Sequence, residues 1–315
     1  EIHERLVGSE MCIRDRDKTV VIPDFKAGTV NRIQCIRQDA GGKGLNVSKC
    51  LEAMNEPSTA VLLSGGSSGQ YIEDFIMKHP LIQPLVTHVE GDTRTNLKII
   101  DPLNHSNTDI NEPGPLITEQ NYSLFKDTLF SNIKEGDCLI LAGSIPKGLP
   151  DMVYEELIRF ANAQKVKTFL DADGEGFLKG VLAHPYLIKP NIDELSSYCG
   201  QTLSSDEDVI DAALKLIHQG IQKVMVSMGD NGAIYVDADH CYRAFCPKVD
   251  VASTVGAGDS MVAALAYCES QKRSALDACR LAVAFGSASV TMGGTQVPPL
   301  DTVNSLYGQV KIMEV

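Results

Sequence analysis

The run Ser253-Thr254-Val255-Gly256-Ala257-Gly258-Asp259-Ser260 sets two glycines around an alanine and follows them with a carboxylate. It stands where a β-leaning stretch (residues 248–254) gives way to an apolar helical run from Met261 to Tyr267. Glycines at such a turn let the backbone approach a ligand, and the open N–H groups of a new helix draw anions. A carboxylate in that first turn can take a proton from a hydroxyl while the turn holds developing phosphate charge. Those are the means for moving a phosphoryl group from a nucleotide to an alcohol. The same eight residues also make a plain turn whose acidic residue complements the helix dipole, so both readings stand at this point.

Ala40-Gly41-Gly42-Lys43-Gly44-Leu45-Asn46-Val47 likewise follows a strand and opens a helix. Lys43 and Asn46 project from its first turn, a cation and an amide suited to an anionic or polyhydroxylated substrate. A glycine-rich turn with a surface lysine is the plainer alternative. No Gly-x-x-x-x-Gly-Lys-Ser/Thr occurs, so this is not a Walker A loop. Arg94 and Lys98 are four residues apart on one amphipathic strand and therefore share a face. Arg32, on a neighbouring strand, adds a third cation. Three cations on a covering sheet can clamp a phosphate, although a solvated strand face looks the same in sequence.

Lys189-Pro190-Asn191-Ile192-Asp193-Glu194 ends a buried strand and starts a helix. Asn191 with Glu194 three residues on is a capping box, and the same carboxylate suits a Mg2+-bound water. Ser227-Met228-Gly229-Asp230 and Gly143-Ser144-Ile145-Pro146 close two further buried strands. Ligands of open α/β sheets bind beyond those carboxyl ends. Leu63-Ser64-Gly65-Gly66-Ser67-Ser68-Gly69 imitates a dinucleotide turn, but its Gly-Gly-x-x-Gly spacing argues against a nicotinamide oxidoreductase.

These turns require a scaffold. Alternating patterns predict half-buried strands over 19–25, 30–37 and 93–100, with a weaker one at 108–110 and a turn at 26–28. They make a small sheet with one wet face. Continuous apolar strands are predicted over 59–63, 85–89, 138–142, 168–172, 186–188, 223–227 and 233–236. Helices over 45–54, 119–133, 152–163, 206–218, 257–269 and 275–290 interleave with them. That alternation means an α/β fold with a doubly wound, mostly parallel sheet flanked by helices. Residues 1–16 are charged and aperiodic, and they read as a non-native remnant; the folded unit is expected to occupy 17–315, with lid strands at about 18–38 and 93–111.

The chain has 315 residues, 43% hydrophobic and 22% charged, long enough for a large core. A formal net charge of -13 argues against nucleic acid and anionic membranes as partners. Nine scattered cysteines without Cys-x-x-Cys predict reduced thiols and a cytoplasmic protein. No apolar run approaches 18 residues, and no secretory signal pattern opens the chain.

Gly41-Gly42-Lys43-Gly44-Leu45-Asn46-Val47 and Ser253 to Ser260, in that order and separation, resemble the two signatures of the ribokinase-like, phosphofructokinase-B sugar kinase family. Thr93-Arg94-Thr95-Asn96, Gly143 to Pro146, Lys189-Pro190-Asn191 with Glu194, and Ser227-Met228-Gly229 extend the resemblance from Asp17 to the C-terminus. It implies a doubly wound domain with a β lid and a sugar bound between them. By resemblance, Asp259 would be the general base, and Gly256, Ala257 and Gly258 the anion hole. Asp17, Gly42, Asn46 and Ser144 would contact sugar hydroxyls. Asn191 and Glu194 would sit by Mg2+ and the ATP phosphates, with Lys189, Ser227, Gly229, Thr254, Ala284 and Gly286 around the nucleotide.

Arg32, Lys43 and Arg94 resemble the branch whose substrate is already phosphorylated. The implied activity is ATP-dependent phosphorylation of fructose 1-phosphate to fructose 1,6-bisphosphate. Tagatose 6-phosphate or another hexose phosphate remains an alternative substrate, and a non-catalytic sugar-phosphate sensor an alternative role. Lid strands pairing between subunits would give a homodimer. The family's opening strand runs into Asn-Pro before the sugar-binding Asp, and residues 1–16 lack that pattern, so the sheet is expected to miss a central strand.

Overall fold

A computed structural model describes residues 5–10 and 16–315. Its strands are β1 (Leu6–Glu10), β2 (Arg16–Val21), β3 (Cys35–Ala40), β4 (Ser58–Ser64), β5 (Ile82–His88), β6 (Thr95–Asp101) and β7 (Ser106–Asn111). They continue as β8 (Cys138–Ala142), β9 (Lys167–Asp171), β10 (Leu187–Ile188), β11 (Lys223–Ser227), β12 (Ala233–Asp237), β13 (Cys241–Phe245) and β14 (Lys311–Glu314). The large sheet has the order β14-β13-β12-β11-β10-β9-β8-β1-β4-β5. From β5 across to β11 every pairing is parallel; β12, β13 and β14 close one edge antiparallel.

Side chains alternate through this sheet into two cores. Val7, Leu139, Leu141, Leu170, Val224 and Val226 meet one helical layer, which includes the Glu119–Asn132, Val153–Ala163 and Asp206–His218 helices. Leu6, Cys138, Ile140, Phe169 and Met225 meet the other, which includes the Lys43–Ala53, Ala257–Ser270 and Ala275–Ser289 helices. Burial on both faces explains why these strands read as unbroken apolar runs.

The expected gap at the centre of the sheet is not there. β1 lies between β8 and β4, with register Leu6 opposite both Cys138 and Ser58. Only Leu6 and Val7 carried an apolar signal, one buried on each face; two neighbouring ladders of backbone hydrogen bonds supply the rest. The remainder of the segment read as a remnant (1–4 and 11–15) lies outside the described residues.

The second sheet has the order β3-β2-β6-β7 and forms the lid. Its first two strands are displaced from their expected bounds. Pro23 and a left-handed Asp24 (φ 57°) turn the chain away after β2, and the Asp101 carboxylate accepts from the Asp24 and Phe25 N–H groups at 2.9 and 2.8 Å. The chain re-enters the sheet only at Cys35. Arg32, expected on a strand, therefore lies exposed in the connecting loop, and Arg94 falls one residue before β6. Residues 248–254, expected to lean to strand, are irregular, while β13 and β14 were not anticipated.

Candidate active site

The parallel strands deliver their carboxyl ends to one edge. Asp171 terminates β9, Lys189 follows β10, and Ser227 terminates β11, where it bridges to Asn191. The Gly256 turn meets them from the opposite core layer. Gly256 takes a left-handed conformation (φ 83°) as N-cap of the Ala257–Ser270 helix, a geometry that glycine adopts without strain. The first N–H groups of that helix have no carbonyl within it to bond and are offered to a ligand.

Asp259 sits one turn into the helix and is only 6% exposed. The Asn46 side-chain amide, from the Lys43–Ala53 helix, donates to its Oδ2 at 2.8 Å. Burial is the main cause that pushes the Asp259 carboxyl up, to about 6, and the negative charge of Asp171 adds to it. The Asn46 hydrogen bond and the Lys43 and Lys189 ammoniums pull the other way. A carboxylate near 6 is ionised at neutral pH and still basic enough to take a proton.

Asp171 organises the cations. Lys43 and Lys189 each place Nζ 3.4 Å from its Oδ1, and Lys43 also donates to its backbone carbonyl at 3.3 Å. Burial opposes the charge on Asp171, but the two lysines hold its carboxyl below the usual range. Burial likewise opposes the charge on Lys43, and Asp171, Asp259, Asp173 and Glu194 outweigh it, so its ammonium stays protonated. A Cβ at Gly258 would stand 3.2 Å from the Lys189 Nζ. The glycine thus lets an ammonium reach the Gly256 turn.

Two cavities of about 200 Å³ flank this centre. One lies under the lid. Asp17, Arg37, Asp39, Asn96 and Lys98 form its roof, and Val255, Gly294 and Thr295 its floor. Arg37 Nε binds Asp39 at 2.7 Å, and Lys98 pairs with Asp109 at 3.4 Å. The Asn46 Oδ1, Asn96 Oδ1 and Thr295 Oγ1 atoms are buried with no hydrogen-bond partner among the described residues, which suits a ligand rich in hydroxyls. The other cavity lies beside Asn191 and Glu194. Asn191 accepts from the Glu194 N–H and Glu194 from the Asn191 N–H, both at 2.8 Å, so the capping box is real. Burial raises the Glu194 carboxyl; the Asn191 N–H bond opposes this, and Asp171 adds to it.

Of the anticipated residues, the structure gathers Gly256, Ala257, Gly258, Asp259, Asn46, Lys43 and Lys189 around one point. Gly42 (φ 105°) is the N-cap that aims Lys43 and Asn46 there, and Ser144 follows the end of β8 at the same edge. Asp17 meets Asn96 at 3.5 Å under the lid. Gly229 opens an exposed 3-10 turn after β11, and Thr254 lies exposed just before the Gly256 turn. Arg94 is half-buried at the start of β6, its carbonyl accepting from Arg16.

Other placements differ from expectation. Lys43, expected on the sugar phosphate, pairs with Asp171 in the structure. Arg32 does not line the lid cavity. Ala284 is completely buried in the core, and Gly286 serves close packing of two helices: a Cβ there would stand 2.9 Å from the Met261 Cγ. Asp171 and Arg37 were missed. A carboxylate closing the apolar Phe169-Leu170 pair was the available signal for the first; nothing local marked the second.

A doubly wound sheet, a β lid and a buried carboxylate at a glycine turn together define an α/β sugar kinase. The pfkB family carbohydrate kinase pattern matches residues 7–303, and the chain belongs to that family. It is 35% identical over 296 residues to the 1-phosphofructokinase of Bacillus subtilis (strain 168), covering 94% of this chain and 95% of that one. It is 32% identical over 302 residues to a tagatose-6-phosphate kinase of Staphylococcus epidermidis, covering 95% and 96%. Among solved structures, phosphofructokinase-2 from Escherichia coli in complex with substrates and products superposes with a TM-score of 0.91 at 27% identity, covering 97% of this chain and 99% of that one.

Proposed function

We propose that the protein transfers the γ-phosphoryl group of ATP to the C6 hydroxyl of fructose 1-phosphate, giving fructose 1,6-bisphosphate and ADP. The observation that carries this reading is Asp259, buried, held by Asn46 at 2.8 Å, and set in the first turn behind Gly256. Asp259 takes the hydroxyl proton as the sugar oxygen bonds to phosphorus and the bond from phosphorus to the ADP oxygen breaks. The Gly256–Gly258 turn, Lys43 and Lys189 balance charge on the transferring group. Asn46, Asn96 and Asp17 orient sugar hydroxyls, and the lid cations Arg94, Arg37 and Lys98 hold the phosphate already present.

Mg2+ fits this site in a particular way. No cluster of three or more His, Cys, Asp or Glu among the described residues forms a cage for a cation. A Mg2+ carried on nucleotide phosphates needs only one or two carboxylates and keeps its waters, and Glu194, with Asn191 beside it, suits that role. The ion would add charge neutralisation at the phosphates. Free thiols throughout the described cysteines favour a cytoplasmic setting. Ile36 and Ile110, 52% and 51% exposed on the lid face opposite the cavity, favour a homodimer through the lid.

Release of ADP from Mg2+-ATP, compared across fructose 1-phosphate, fructose 6-phosphate and tagatose 6-phosphate, tests the assignment. Preference for fructose 1-phosphate is the expected result. Preference for tagatose 6-phosphate, the substrate named by the Staphylococcus relative, moves the substrate within the family. A folded protein that turns over none of the three overturns the reading.

A further inference from the structure

We infer that Lys49 is a positioning residue for phosphoryl transfer, its buried ammonium tying the last residue of lid strand β3 to the segment behind the Gly256 turn. Lys49 lies three residues after Asn46 on the Lys43–Ala53 helix and is 8% exposed. Its Nζ donates to the Ala40 carbonyl at 3.0 Å and to the Thr295 carbonyl at 3.3 Å, with the Phe75 ring 5.9 Å away. No carboxylate among the described residues pairs with it. Burial pushes the Lys49 pKa down, and the charges of Asp39, Asp17 and Asp259 oppose this without forming an ion pair, so the residue is a costly way to fill a core position that leucine or methionine would fill cheaply. The location explains the choice.

Ala40 ends β3 and leads straight into Gly41-Gly42, which aims Lys43 and Asn46. Thr295 floors the lid cavity, and its Cα stands 3.6 Å from where a Gly256 Cβ would be. One ammonium therefore holds two backbone segments, one belonging to the lid and one seating the anion-holding turn. A second contact reaches the same segment from the lid. A Cβ on Gly294 (φ 72°) would stand 2.3 Å from Arg37 Nη2, so the guanidinium lies directly on that glycine. Displacement of the lid then bears on the Gly256 turn through a packed, hydrogen-bonded path of few residues. Binding of sugar phosphate under the lid and of nucleotide at the turn are coupled by it, each tightening the other.

The inference rests on the kinase reading for its assay, whichever ketose phosphate is preferred. Wild-type turnover is measured first and tests that reading alone; only ratios of variant to wild type test Lys49. The quantity of interest is the factor by which saturating nucleotide tightens sugar-phosphate binding, alongside kcat. Lys49→Met is expected to lower kcat by about tenfold or more and bring that factor close to one, because a misplaced anion hole loses transition-state contacts. Lys49→Arg, which keeps donors for both carbonyls, restores both. Leu129→Ala, a buried change in the Glu119–Asn132 helix of the other core layer, lowers stability without changing the coupling. If Lys49→Met does not fold, Lys49→Gln, too short for both carbonyls, is read in the same way. A wild type without coupling, a Lys49 variant with wild-type kcat and coupling, or equal loss of coupling in Leu129→Ala would overturn the inference.

Discussion

The two halves of the site use charge differently. At the strand ends and the Gly256 turn, Asp259, Asp171 and Lys189 are buried and hydrogen-bonded to one another or to amides; burial pushes the Asp259 carboxyl up, and against burial the two lysines hold that of Asp171 down. Under the lid, Arg37–Asp39 and Lys98–Asp109 are ion pairs with substantial solvent contact. Buried charges cannot relax and are expensive to bring together, so they hold a fixed geometry aimed at the reacting atoms. Half-exposed pairs exchange partners at little cost, so an incoming phosphate can replace a carboxylate. On the proposed reading, the strand ends serve the chemical step and the lid serves recognition. Variants in the first should act on kcat, and variants in the second on KM.

The largest effect is expected from Asp259→Asn, with kcat falling by about 10³-fold or more and ATP affinity nearly unchanged, measured by ADP release and by calorimetry. Wild-type turnover in that variant would end the assignment of a base. Next, Lys189→Met should lower kcat by roughly 10²-fold, since it removes one preorganised cation from the anion hole. An effect confined to KM would erase the division between the two halves. Arg94→Ala and Lys98→Ala should raise the sugar-phosphate KM by about tenfold, the loss of one charge-assisted contact, and leave the ATP KM in place. Equal changes in both KM values would count against a phosphate clamp in the lid.

The smallest effects concern protons. With the Asp259 carboxyl at about 6, kcat/KM should rise through that pH as the base ionises. Lys43→Met removes a positive neighbour and should move this limb to higher pH, whereas Lys98→Ala should leave it unmoved. The same carboxyl makes folding pH-dependent. Its native pKa lies above the unfolded value, so its stabilising protonation is complete below about 4 and lost as pH rises through about 6. Asp259→Asn should therefore be the more stable protein at pH 8, by on the order of 3 kcal/mol, with the difference vanishing near pH 4. Thermal unfolding at the two pH values checks this.

Residue order carried much of the protein. Apolar runs such as Cys138–Ala142 and Lys223–Ser227 had to be strands buried on both faces, because a chain with that periodicity can satisfy its backbone and hide its side chains in few other ways. Asn191 and Glu194 determined their own cap locally. The two glycine turns and Asp259 were legible because a special backbone conformation and a carboxylate at fixed spacing are encoded within a few residues. What sequence left undecided depends on contacts between distant segments. Leu6–Glu10 is a central strand because β8 and β4 leave a parallel slot on both sides of it, something its own residues barely signal. Lys43 gained Asp171 as a partner 128 residues away, and Arg32 lies in an exposed loop whose start Asp101 holds. Lys49 gained its carbonyl partner 246 residues along the chain. Local spacing fixes backbone shape, but a buried charge takes its meaning from whichever partners the fold brings within hydrogen-bond reach, and only the folded chain decides those.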